Sequence, residues 1–64
     1  MIHIYHLGAH VASISKQHPG ADNYRAFEPW LLLHISGRVD RFSSAKDARD
    51  EARKHWGCVQ FKRS

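Results

Sequence analysis

Sixty-four residues, 42% of them hydrophobic and 25% charged, suffice for one small domain over residues 1–64 and exclude a second, and the balance is that of a folded chain rather than a disordered tail. The longest apolar run, Trp30 to Leu33, is four residues, far below the roughly 20 that span a bilayer, so no membrane partner is expected. Ten Lys and Arg against six Asp and Glu give a net charge of +4, and at this size a deep substrate pocket would remove core that the chain needs, which argues against an enzyme and a small-molecule substrate.

Ile2 to Leu7 alternates β-branched or aromatic residues with histidines, a period of two that predicts a strand. Gly8 interrupts it. Ala9 to Ser15 either continues the strand past a bulge at Gly8 or returns as a second arm, and the pattern does not choose. A helix over 2–15 is the weaker reading, because Gly8 sits mid-run and Ile2, Ile4 and Val11 are β-branched. Gln17 to Arg25 carries loop signals, with His18-Pro19-Gly20 as a turn and Asp22-Asn23 extending it. Pro29 blocks a helix before Trp30. Trp30 to Ile35 predicts a further strand, Ser36-Gly37 a two-residue turn, and Arg38 to Phe42 the return. In that register Leu31, Leu33 and Ile35 share a face with Phe42, while Trp30, Leu32 and His34 share the other with Val39 and Arg41. A slip of one residue inverts the pairing of faces.

Ser43 to Trp56 is the clearest element. Ser44 with Asp47 makes a capping box, and Asp47 supplies the negative charge that a helix start favours. Ala45, Ala48, Ala52 and Trp56 fall on one face, where alanines let a helix lie close on a sheet. Asp50 and Lys54 stand in the favourable i,i+4 order. Gly57 is the expected residue just past the helix end. Cys58 to Lys62 then alternates as a last strand, with Val59 and Phe61 inward. The fold class is α+β: a small, mostly antiparallel sheet of three to four strands with one helix on one face, in the order β-(β)-β-β-α-β. One helix covers one face, so the other is solvated or meets a partner.

Four of the six acids, Asp40, Asp47, Asp50 and Glu51, lie in or beside the helix among Lys46, Arg49, Arg53 and Lys54. Positive charge is in excess elsewhere. Arg38 and Arg41 flank the hairpin return and Lys62 and Arg63 close the last strand. If those strands are neighbours, the four cations form a rim. Tyr5, Tyr24, Phe27 and Trp30 offer aromatic surface, and phosphate contact with stacking is the chemistry such a rim would perform. Arg38, Arg41, Lys62, Arg63, Tyr24 and Trp30 are therefore the candidate partner-binding residues. A plain solvated surface explains the same charges.

Six histidines is a high count for this length. His3, His6 and His10 would share a face on a helix. On a strand His3 and His6 point apart, so edge or surface histidines are the better reading than a metal site, with a His-based metal module as a weak third hypothesis. A milder role is a pH response, since histidine gains charge on mild acidification. Cys58 follows a helix C-terminus, the wrong end to activate a thiolate, and is better read as a small buried hydrophobe or an inert strand thiol. One cysteine forms no internal disulfide, and the start Met1-Ile2-His3-Ile4 does not resemble a leader, so a reducing, cytoplasmic location is expected. No serine lies in a G-x-S-x-G context, the four glycines are isolated, and no two acids suggest an acid/base pair. No catalytic residues, metal or cofactor are expected.

In element order alone, Trp30 to Trp56 resembles the three-stranded-sheet DNA-binding modules, from which the trailing strand departs. Size, basicity and the lack of a catalytic set are similar in type to small accessory proteins of phages and other mobile elements. Such a resemblance implies two functions: a basic module engaging nucleic acid or a nucleic-acid-handling complex, or an anti-defence, anti-CRISPR-like inhibitor that binds a host protein complex without touching nucleic acid. An uncovered sheet face or edge strand could equally be buried in a homo-oligomer.

Overall fold

The computed structural model describes residues 1–63. Its elements are β1 (Ile2–His6), β2 (Ala9–Lys16), β3 (Trp30–His34), β4 (Val39–Phe42), α1 (Ala45–Trp56) and β5 (Gln60–Arg63). The strands form one five-stranded sheet in the order β4-β3-β2-β1-β5, and every neighbouring pair is antiparallel. The α+β class is as expected, but the sheet has five strands rather than three or four. Residues 9–16 return as a second arm, and the last residues join the sheet at β1.

The turn between β1 and β2 explains that return. Leu7 and Gly8 both adopt positive φ, 53° and 81°, and His6 pairs with Ala9 across them. Two positive φ values in a two-residue loop match the right-handed twist of a hairpin. Gly8 is thus a turn residue and not a bulge. The bulge lies further in: Ile4 pairs with Ala12 but Tyr5 pairs with His10, which leaves Val11 as the extra residue.

The β3–β4 turn corrects the expected register. His34 N donates to Arg38 O at 2.8 Å, and Gly37 N donates to His34 O at 2.9 Å. The loop is therefore Ile35-Ser36-Gly37, three residues long, with Gly37 at φ 100°. A two-residue turn needs positive φ at its first position, where Ser36 would sit. The three-residue form needs it only at the last, where Gly37 does. The pairing slips by one, to Leu33 with Val39 and Trp30 with Phe42. Trp30 and Leu32 accordingly share a face with Phe42, and Leu31 and Leu33 share the other with Val39 and Arg41.

The caps of α1 are built as its sequence predicts, but Asp50 pairs with Arg53 at 3.3 Å rather than with Lys54. The Ser44 side chain accepts from Asp47 N, and Gly57, at φ 84°, donates its N–H to Arg53 O. Ala48 and Ala52 are buried on Ile2, Ile4, Ala12, Ile14 and Leu32, and Val11, Trp30, Phe42, Trp56, Val59 and Phe61 pack around them. α1 starts at the sheet end that carries Ile2, Lys16 and Trp30, where Ala45 lines a cleft with them. It finishes at the other end, where the Trp56 ring lies 5.2 Å from that of His34. Gly57 to Val59 then carry the chain to the far edge. α1 therefore joins the two opposite edge strands, β4 and β5, which run parallel to each other. Among the described residues no helix is long and apolar enough to cross a membrane.

Candidate nucleic-acid interface

The strand pairings define what the helix leaves open. The face opposite α1 carries His3 and Tyr5 from β1, Ser13 and Ser15 from β2, Leu31 and Leu33 from β3, Val39 and Arg41 from β4, and Gln60 and Lys62 from β5. The bulge at Val11 adds His10 to this face. Without it Tyr5 would oppose Val11, and His10 would point towards the helix. None of these strand positions is acidic. Asp40 points to the helix side, where its carboxylate accepts from His34 Nε2 at 2.9 Å. The other five acids lie on α1 or in the 17–29 loop.

The β1–β2–β5 part of the face is a polar, aromatic cluster. Ser13 Oγ lies 3.1 Å from His10 Nε2 and 3.3 Å from His3 Nδ1. A hydroxyl has one proton, so Ser13 donates to at most one of these rings and accepts from the other. The His3 and His10 rings meet edge-on at 5.4 Å, and the Tyr5 ring lies 5.5 Å from that of His10. Lys62 Nζ sits 5.1 Å from the centre of the Tyr5 ring. The phenol is thereby held between an ammonium and an imidazole. On the β3–β4 side the face is apolar, with Leu31 and Leu33 half-buried and Val39 exposed. There Arg41 Nη1 donates to Gln17 Oε1 at 2.9 Å.

The six residues singled out in the sequence do not form one rim. β4 and β5 occupy opposite edges, so Arg41 and Lys62 share the open face but are separated by three strands, about 19 Å at the usual strand spacing. Arg38 is at the hairpin and pairs with Asp40 at 3.4 Å. Arg63 faces the helix side. Trp30 is on the covered face, packed against the core, and Tyr24 is half-buried in the 17–29 loop. Lys62 instead meets Tyr5 and pairs with His3, and those two are joined to His10 and Ser13. The alternation of β1 already put His3 and Tyr5 together; a hairpin at Gly8 and a bulge at Val11 were needed to bring in the other two.

The histidines separate by face as a strand requires. His6 turns away from His3 and bonds through Nδ1 to Cys58 O at 2.8 Å. Among the described residues no group of three His, Cys, Asp or Glu side chains could hold a metal ion. Cys58 is exposed, so it is not the buried small hydrophobe considered above. Two clefts open along the seam between helix and sheet. The hairpin and helix over residues 30–56 form only one flank of a five-stranded sheet. No family model, no curated protein and no solved structure matches the chain.

Proposed function

We propose that this protein is a non-enzymatic binding module of the cytoplasm that holds single-stranded nucleic acid on its open sheet face. The observation that carries the reading is the Tyr5 ring, held between Lys62 and His10 on a face whose strand positions include no acid. A half-buried ring offers a base a stacking platform, and the Lys62 ammonium beside it offers a phosphate contact. The shape of the face supports a single strand. Five strands span about 19 Å, too broad for the roughly 12 Å major groove of a duplex. The lone, exposed cysteine supports a reducing compartment. A rival reading draws on the apolar half of the same face, Leu31, Leu33 and the half-exposed Val39. There the face would seat a protein of a nucleic-acid-handling complex, as a mobile-element inhibitor does.

Fluorescence anisotropy with a labelled twelve-residue oligo-dT decides between them. Binding is expected at low salt, with log K falling against log salt by about 0.7 for each phosphate neutralised. Tyr5→Ala should weaken binding about tenfold, in keeping with a stacking worth of about 1–3 kcal/mol. Lys62→Ala should also lower the salt slope. No binding at low salt, together with a stoichiometric protein recovered from nuclease-treated host lysate, would overturn the nucleic-acid reading in favour of the rival.

A further inference from the structure

A second positively charged site lies on the other side of the sheet. A cleft of about 510 Å³ opens where the start of α1 meets the ends of β1, β2, β3 and β5. Ile2 and Ile14 form its apolar floor, and Trp30 forms one wall. Lys16, Arg49 and Arg63 stand around it, and none of the described residues lining it is acidic. The sheet register fixes this arrangement. Lys16 pairs with Trp30, and Ile2 pairs with both Ile14 and Arg63, so two of the cations are anchored beside the floor. Arg49 is on α1, one turn beyond Ala45, and overhangs the same opening.

Among the described residues Lys16, Arg49 and Arg63 make no ion pair, whereas Arg38 pairs with Asp40 and Arg53 with Asp50. The acids of α1 lie elsewhere: Asp47, Asp50 and Glu51 line a separate cleft of about 400 Å³ with Glu28, Arg41 and Lys54. Three like charges converging on an apolar floor repel one another, and an anion seated among them removes that repulsion. The first turn of α1 adds the positive end of a helix.

We propose that this cleft binds a small aromatic phosphate of nucleoside-monophosphate size, its ring against Trp30 and its phosphate among Lys16, Arg49 and Arg63. The volume lies in the range of small-molecule pockets. Two guanidinium forks match phosphate oxygens, and three cations exceed what a single carboxylate neutralises. The planar indole favours a ring over a flexible alkyl chain. The site is on the opposite face from Tyr5 and stands independently of the open-face reading. Its ligand could be a free nucleotide or the phosphorylated end of a strand, since both present the same group.

The test is a titration of the isotope-labelled full chain followed by amide and indole NMR shifts. AMP is expected to give saturable shifts at Trp30, Lys16 and Arg49, and adenosine, lacking the phosphate, to bind at least about tenfold more weakly. Arg49→Gln, a helix-surface change, should weaken AMP by a similar factor, while Tyr5→Ala leaves it unchanged. A 5′-phosphorylated dinucleotide that competes with AMP when its 5′-hydroxyl counterpart does not would identify a strand end as a source; AMP binding without such competition would identify the free nucleotide. The proposal is overturned if adenosine binds as well as AMP, if octyl phosphate matches AMP, or if no cleft resonance saturates. Because Tyr5→Ala and Arg49→Gln report on opposite faces, loss of one site leaves the other measurable.

Discussion

Leu7 is held at φ 53° and is 89% exposed. It accepts a left-handed backbone, which costs an L-residue roughly 1–2 kcal/mol, and gains almost no burial in return. Asn tolerates that conformation and suits this type of turn. Leu7→Asn should therefore stabilise the protein by about 1 kcal/mol, seen as a rise of about 4–8 °C in Tm. Gly37, at φ 100°, is the opposite case, and Gly37→Ala should destabilise by about 1 kcal/mol or more. At the same sheet end the His34 side chain is 7% exposed and donates to Asp40. Asp40→Ala removes the partner of a buried donor and should cost about 1–3 kcal/mol in urea denaturation, with Asp40→Asn, which keeps an acceptor, costing less.

At the level of elements the helix rests on two small side chains. Ala48 and Ala52 are fully buried on the sheet, so Ala48→Leu should destabilise by about 1–3 kcal/mol by lifting α1 off Ile14 and Leu32, measured by thermal melting. The exposed cap is a milder site, where Ser44→Ala should cost about 1 kcal/mol. The helix was fully legible in the sequence because its signals are local: a capping serine, alanines at helical spacing and a terminal glycine. The β3–β4 turn was not, because Ser36-Gly37 is compatible with both a two- and a three-residue loop, and the choice inverts which side chains face the core. The bulge was hidden for a related reason. Gly8 looks like the irregular position, while Val11 looks like an ordinary strand residue. The supposed rim of four cations failed on a still less local property, since alternation tells which face a side chain takes and says nothing about which strands lie side by side. Lys62 and Arg41 share the open face at opposite edges, and Tyr5 and His3 emerge as neighbours of Lys62 only once β1 is placed between β2 and β5.

Across the whole molecule, charge is divided by the sheet and by its ends. The open face carries cations without acids, the described residues of the seam cleft near Trp30 do the same, and four of the six acids gather on α1 and around the opposite cleft. The edge strands share in this division. β5 is an exposed edge that ends in Lys62 and Arg63, and charged residues there oppose edge-to-edge pairing. Replacing both by Val should promote self-association, visible as a concentration-dependent increase in sedimentation coefficient, while the native chain remains a single slow species. The buried core is small, and three of its seven residues are alanines, so little stability is held in reserve.

The position of β5 also has a kinetic consequence. β1 to β4 are joined in series by hairpins and one loop, but β5 reaches β1 only after α1 has been laid across the sheet, so Ile2 and Arg63 meet across nearly the entire chain. Such a pairing carries the largest loop-closure entropy in the fold and is the contact expected to form after the rate-limiting barrier. In stopped-flow chevrons Phe61→Ala should steepen the loss of the native state by raising the unfolding rate while leaving the refolding arm in place. A chain fastened by its final strand comes undone there first.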